Sequence, residues 1–119
     1  MAKITTLKKH ADFLLAASSG FKFVKPSVIV QSRKRIDTPE IRIGFTATKK
    51  LGNAVIRNRA KRRMRAAAAK LLPEYGLPGC DYVFIGREKV YKGTYADLLG
   101  DIKHSLKRLG EQISAKNSD

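Results

Sequence analysis

The chain has 119 residues, 43% of them hydrophobic, with 25 Lys or Arg against 10 Asp or Glu and a formal net charge of +15. That length suits one domain with a modest core, the apolar content excludes a disordered chain, and the charge calls for an anionic partner, nucleic acid ahead of a membrane surface. No apolar run approaches the roughly 20 residues of a membrane span, and Lys8, Lys9, His10 and Asp12 interrupt any N-terminal signal core. The single cysteine, Cys80, allows no internal disulfide and no multi-cysteine metal site, which suits a reducing cytoplasm.

In chain order, residues 5–18 (TTLKKHADFLLAAS) read as a first helix capped by Thr5 or Thr6, with Leu7, Ala11, Leu14 and Leu15 on one side and Phe13 on its flank. From Phe21 to Arg33 the period changes to two, and Pro26 makes the run either an edge strand or two strands with a bend. A polar turn over 32–40 leads to a strand over 41–48 with Ile41, Ile43, Phe45 and Ala47 on one face, expected to pair antiparallel with its predecessor. Gly52 permits an unusual backbone angle and Asn53 is a good N-cap for a helix from Ala54 to Leu72, stopped by Pro73 and Gly76. Residues 81–87 (DYVFIGR) are apolar at successive positions and belong in the middle of the sheet. A last helix starts near Thr94, whose hydroxyl can cap it with Asp97 three residues on. Residues 1–110 thus read as one domain and 111–119 as a frayed tail.

The central helix carries most of the functional signal. Between Glu40 and Glu74 there is no acid and there are ten Lys or Arg. With Arg57 at zero on a helical wheel, Lys61 and Arg65 fall at about 40° and 80°, Asn58 near 100° and Arg62 near 140°. Arg59, Lys70 and Arg63 lie at about 200–240°. The stripe Ile56, Ala60, Met64, Ala67 and Leu71 occupies roughly 260–340° and must dock on the sheet. Arg57, Lys61 and Arg65 repeat at one-turn spacing with no acid at i+4 to relieve them, so polyanion binding outweighs a merely solvated face. Arginine forks grip phosphate bidentately, and Asn58 can bond a phosphate, a 2′-hydroxyl or a base edge.

A strand stands where a helix-turn-helix needs its first helix, and the aromatic strand of an RNA-recognition motif is missing. A basic helix on an open sheet suits structured RNA plus a single-stranded segment. His10 and His104 sit on different terminal helices and the acids are scattered, which argues against a self-contained nuclease. The apolar stripe is too small and alanine-rich for membrane insertion. A structural protein binding ribosomal RNA remains an alternative.

The run from Lys49 to Arg65, KKLGNAVIRNRAKRRMR, resembles the signature of the bacterial ribonuclease P protein subunit, with its lead-in, its Arg-Asn-Arg helix and a trailing Lys-Arg pair. Leu7-Lys8-Lys9, Asp12-Phe13 and the strand running into Thr48-Lys49-Lys50 extend the likeness over nearly the whole chain. The resemblance implies an α+β sandwich of order α-β-β-β-α-β-α, with about four strands, a left-handed β-α-β crossover, and a strand break at Pro26. It also implies a cytoplasmic protein, monomeric and in a 1:1 complex with a catalytic RNA that removes the 5′ leader of precursor tRNA. That RNA and its magnesium ions perform the hydrolysis, leaving the protein no catalytic residue. Lys49, Lys50, Asn53, Arg57, Asn58, Arg59, Lys61, Arg62 and Arg65 would contact the RNA, and Phe13 with Phe21, Phe23 and Arg42 would line the leader cleft. Ala60, Ala17 and Gln31 depart from the family pattern, the last two where cleft aromatics are expected.

Overall fold

The computed structural model describes residues 3–117. Its elements are β1 (Ile4–Thr6), α1 (His10–Ser19), β2 (Phe21–Val24), β3 (Val28–Lys34), β4 (Ile41–Thr46), a 3-10 turn (Lys49–Leu51), α2 (Ala54–Tyr75), β5 (Cys80–Gly86), α3 (Lys89–Lys92) and α4 (Tyr95–Asn117). Apart from the short β1 and α3, this is the expected α-β-β-β-α-β-α order.

The strands form one mixed sheet in the order β1-β4-β5-β3-β2. The first five residues of β5, apolar except for Asp81, are all buried, as a central strand requires. β4 and β5 are parallel neighbours joined through α2, whereas β3 and β2 are antiparallel to their neighbours. The 28–34 and 41–46 strands therefore do not pair with each other, as the order along the chain suggests, because β5 inserts between them. Pro26 breaks the early run into a hairpin closed by the Lys25 N–H donating to Val28 O at 2.9 Å.

The N-terminus also departs from expectation. Thr5 and Thr6 belong to β1, paired in parallel with Arg42 and Ile43, and α1 begins at His10 with no side-chain cap. Bonds from the Ile41 N–H to Lys3 O (2.8 Å) and from the Leu7 N–H to Ile43 O (2.9 Å) give this β-branched stretch ladder partners that a first helical turn would leave unused.

Alternation sorts the sheet into two faces. Val28, Val30, Ile41, Ile43, Tyr82 and Phe84 meet α2 and α4 in the main core, while Leu7 and, from α1, Phe13 and Ala16 pack against Val83 and Ile85 on the opposite face. Asn53 caps α2, its Oδ1 accepting from the Ile56 N–H at 3.0 Å, and Gly52 sits at φ 143°, where a side chain would be strained. The α2 stripe is buried as the wheel requires, except that Ile56 is only half-buried; Ala68 and Leu72 join it. The helix runs past Leu72 to Tyr75 with Pro73 inside its last turn, at the cost of that residue's backbone donor, and the Gly76 N–H closes it on Leu72 O at 2.8 Å. At α4 the Thr94 Oγ1 accepts from the Asp97 N–H at 3.0 Å. Beyond Gly110 there is ordered helix rather than fraying through residue 117, because Ile113 enters the core; residues 118–119 lie outside those described.

Candidate nucleic-acid interface

The N-terminal half of α2 projects its cations away from the core. Asn58, Arg59, Arg62 and Arg65 are exposed, Lys61 and Arg57 half-buried, and Lys49 and Lys50 extend the surface from the exposed 3-10 turn. Among the described residues no carboxylate pairs with any of these cations. The Arg57 Nε is buried without an acceptor, and the Arg65 guanidinium lies 5.5 Å from the centroid of the Phe45 ring. Asn53 serves as the helix cap, which leaves its amide NH2 for an outside partner. With the free amides of the first turn, these groups make an anion-seeking helix end.

Arg63, one residue from Arg62, does different work. Its Nη1 donates to Val90 O at 3.2 Å and Gly93 O at 3.0 Å, tying α2 to α3. The wheel places it beside the apolar stripe. The Tyr91 hydroxyl adds a bond to Leu51 O at 3.0 Å, so α3 braces both the 3-10 turn and the helix that follows it.

The opposite face holds the candidate cleft, and registers across the strands define its rows. Arg42, Asp81 and Arg33 form one row; Gly44, Val83, Gln31 and Lys22 the next; Thr46, Ile85, Ile29 and Val24 the last. α1 covers the first two. A β-carbon at Gly44 would stand 2.5 Å from Phe13 Cζ, so the half-buried Phe13 ring rests where only glycine leaves room. The last row stays partly open, Val24 being half exposed and Thr46, Ile85 and Ile29 intermediate. It is an aliphatic shelf bordered by an aromatic ring. Sequence reasoning missed Ile85, Ile29 and Val24; the only available signal was that they alternate with core residues.

Phe21 and Phe23 do not belong to this cleft. Both lie on the α4 face, Phe23 edge-on to His104 at 5.2 Å and Phe21 beneath Lys116. They share strand parity with Val30 and Ser32, which commits them to the core side. Arg42 is on the cleft face, but its guanidinium is engaged: Nε and Nη2 donate to the two Asp81 oxygens at 2.7 Å each, and Nη1 to Asp12 at 3.4 Å. The Asp81 hydrogen bonds push the already high pKa of Arg42 further up. Asp81, fully buried, also accepts from Arg35 Nη1 at 2.6 Å and Arg33 Nη2 at 3.4 Å. Ala17 is exposed and Gln31 half-buried, so neither supplies a cleft aromatic.

Among the described residues no group of three His, Cys, Asp or Glu side chains could hold a metal ion. No described helix is long and apolar enough to cross a membrane.

Known proteins agree with this architecture. A family model described as Ribonuclease P matches residues 1–110. The ribonuclease P protein component of Gluconacetobacter diazotrophicus is 46% identical over 104 residues, covering 87% of this chain and 90% of the relative. That of Ruegeria pomeroyi is 48% identical over 110 residues, covering 89% and 86%. Among solved structures, the RNase P protein of Thermotoga maritima superposes with a TM-score of 0.75 at 26% identity, covering 87% of this chain and 96% of the other. The Staphylococcus aureus protein gives 0.74 at 29% identity, covering 86% and 92%. The fold is therefore shared with these proteins, and this chain belongs to the bacterial ribonuclease P protein family.

Proposed function

We propose that this chain is the protein subunit of a ribonucleoprotein endoribonuclease, in which a catalytic RNA cleaves the 5′ leader from precursor tRNA and the protein holds both RNAs. The observation that carries the reading is the unpaired basic face of α2. Arg57, Asn58, Arg59, Lys61, Arg62 and Arg65, with Lys49, Lys50 and Asn53 before them, grip the phosphates and 2′-hydroxyls of the catalytic RNA. Three of the chain's carboxylates, Asp12, Asp37 and Asp81, are instead gathered around Arg33, Arg35 and Arg42. The single-stranded leader lies on the α1 face, against Phe13 and the shelf of Thr46, Ile85, Ile29 and Val24. Apolar contact there tolerates any base sequence, and the flanking cations follow the backbone.

Among the described residues no three His, Cys, Asp or Glu side chains gather to hold a metal ion; in this reading the magnesium of the reaction is held mainly through the RNA. The protein contributes charge and position: its cations offset repulsion between two RNA backbones, which divalent ions must otherwise screen. It works as a monomer in a 1:1 complex with the RNA, in the cytoplasm.

Reconstitution tests the reading. Protein alone should leave a precursor tRNA intact, and protein plus the ribonuclease P RNA should cleave it at magnesium concentrations where the RNA alone is slow. Unchanged RNA activity on adding the protein would refute the proposal. Sequencing RNA crosslinked to the protein in cells separates it from the alternative, since ribosomal RNA as the principal product would favour a ribosomal role.

A further inference from the structure

Where the ends of β3 and α4 meet, a cavity of about 340 Å³ opens on the α4 face of the sheet. Phe21 lines it, with Lys116 Nζ 5.6 Å from the ring centroid. Lys34, the last residue of β3, stands at one side, and Ile113 closes the back. Ile36 lines it too and is fully exposed, at 103%. Arg33 contributes to the wall, but its guanidinium is held by Asp81 and Asp12 on the other face. No carboxylate is among the lining residues.

We propose that this cavity is a second site for single-stranded RNA, taking one nucleotide with its base against Phe21 and Ile36 and its phosphate between Lys34 and Lys116. An aromatic ring, a bare aliphatic side chain and two lysines around an acid-free cavity make a stacking surface beside a phosphate clamp. The volume falls in the range of small-ligand pockets. The free isoleucine is the informative residue: it contributes nothing to the core, and an apolar contact with a ligand would account for it. In the free protein Lys116 covers the ring; an incoming base takes that position and the ammonium moves to the phosphate.

The site is separate from the RNA surfaces already described. It lies on the opposite sheet face from α1, and α2 spans about 33 Å from the Arg57 end to the end where Gly79 bonds Arg35 beside Ile36. Ile113 and Lys116 come from the part of α4 beyond the residues 1–110 that the family model matches. RNA held at both places would be fixed at two separate points on a molecule whose longest extent is 42 Å.

The test uses the full chain, labelled with ¹⁵N and titrated with a uridine pentanucleotide. Amide shifts at Phe21, Ile36 and Lys116 are expected, and they should persist in an Arg57→Ala/Arg62→Ala variant, which keeps this site's outcome independent of the α2 reading. Lys34→Ala/Lys116→Ala should weaken pentanucleotide binding at these amides roughly tenfold and lower the log–log salt slope by about 0.7, for the one single-strand phosphate held between them. Ile36→Ser, a change at a fully exposed residue, should weaken it about threefold without altering the melting temperature. Shifts confined to α2 and the α1 face, or unaffected by these substitutions, would overturn the proposal. So would identical shifts with inorganic phosphate alone, since the base would then have no part.

Discussion

Replacing Asp81 by Asn tests how the sheet is held together. The carboxylate is fully buried and receives four hydrogen bonds from Arg33, Arg35 and Arg42, on the strands either side of β5 and the loop after β3. Asparagine keeps the shape but removes the charge and turns an N–H toward a guanidinium. Three arginines then share a site whose nearest remaining carboxylates are Asp12 and the exposed Asp37. Stranding buried charge in this way costs about 3–5 kcal/mol, against roughly 6–18 kcal/mol of stability for a domain of this length. At about 4 °C per kcal/mol, melting should fall by around 16 °C. Asp12→Asn, which breaks longer and more solvated contacts, should cost about 1 kcal/mol or less. Urea unfolding at low and moderate salt would measure both, with a larger deficit at low salt because the released guanidiniums repel. A loss under 1 kcal/mol for Asp81→Asn would show that solvent or backbone carbonyls satisfy the arginines and that the Asp81 carboxylate does not hold the strands together.

Arg62→Ala and Arg63→Ala should behave oppositely. The first should leave melting unchanged and reduce the salt dependence of RNA binding by about 0.7–0.9 units of log–log slope; the second should cost about 2 kcal/mol through two lost bonds to backbone carbonyls and leave the slope alone. Equal slopes in both variants would refute the division of labour. Gly44→Ala should push Phe13 off the sheet, destabilise the fold by about 1–3 kcal/mol and weaken leader binding, as read by chemical shifts on α1. Burial raises the Cys80 and Tyr82 pKa values above their ordinary range, so the unfolded chain ionises first. The folded state then binds more protons, and their stabilising contribution, complete below about pH 8.5, falls as pH rises, by at most about 1.4 kcal/mol per pH unit per group. Cys80→Ala should flatten that decline between about pH 8.5 and 10, and an unaltered slope would exclude the thiol as its source.

Features set within a few residues were legible in the sequence: the Asn53 cap, the positive φ at Gly52, the Thr94 cap and the α2 stripe each follow from side chains at short spacing. What the sequence hid was non-local. Asp81 reads as one scattered acid at the start of a strand, and its role comes from arginines 39, 46 and 48 residues away. Phe21 and Phe23 alternate correctly, but alternation does not say which face meets α4. β5 separating β3 from β4 is also invisible to local pattern, because the pairing crosses α2. Ile113 looked like part of a polar tail because the surface that buries it is built from distant strands. A cleft role for Phe13 is what the family resemblance implies; the packing adds that Gly44 makes room for its ring.

These two kinds of feature meet in how the fold distributes charge. A chain with 15 excess positive charges must place most of its cations somewhere tolerable. Where three arginines converge at the start of β4 and β5, the fold brings Asp12, Asp37 and Asp81 to them, so that end is self-neutralised. On the outer face of α2 it brings none. Arg62 and Arg63 show that position on the helix decides between the two outcomes: about 100° of rotation turns one guanidinium to carbonyls of α3 and the other to solvent. Folding thus leaves a helix face whose repulsion is unrelieved inside the protein. That residual repulsion falls when a polyanion binds, so RNA binding and relief of charge strain draw on the same residues.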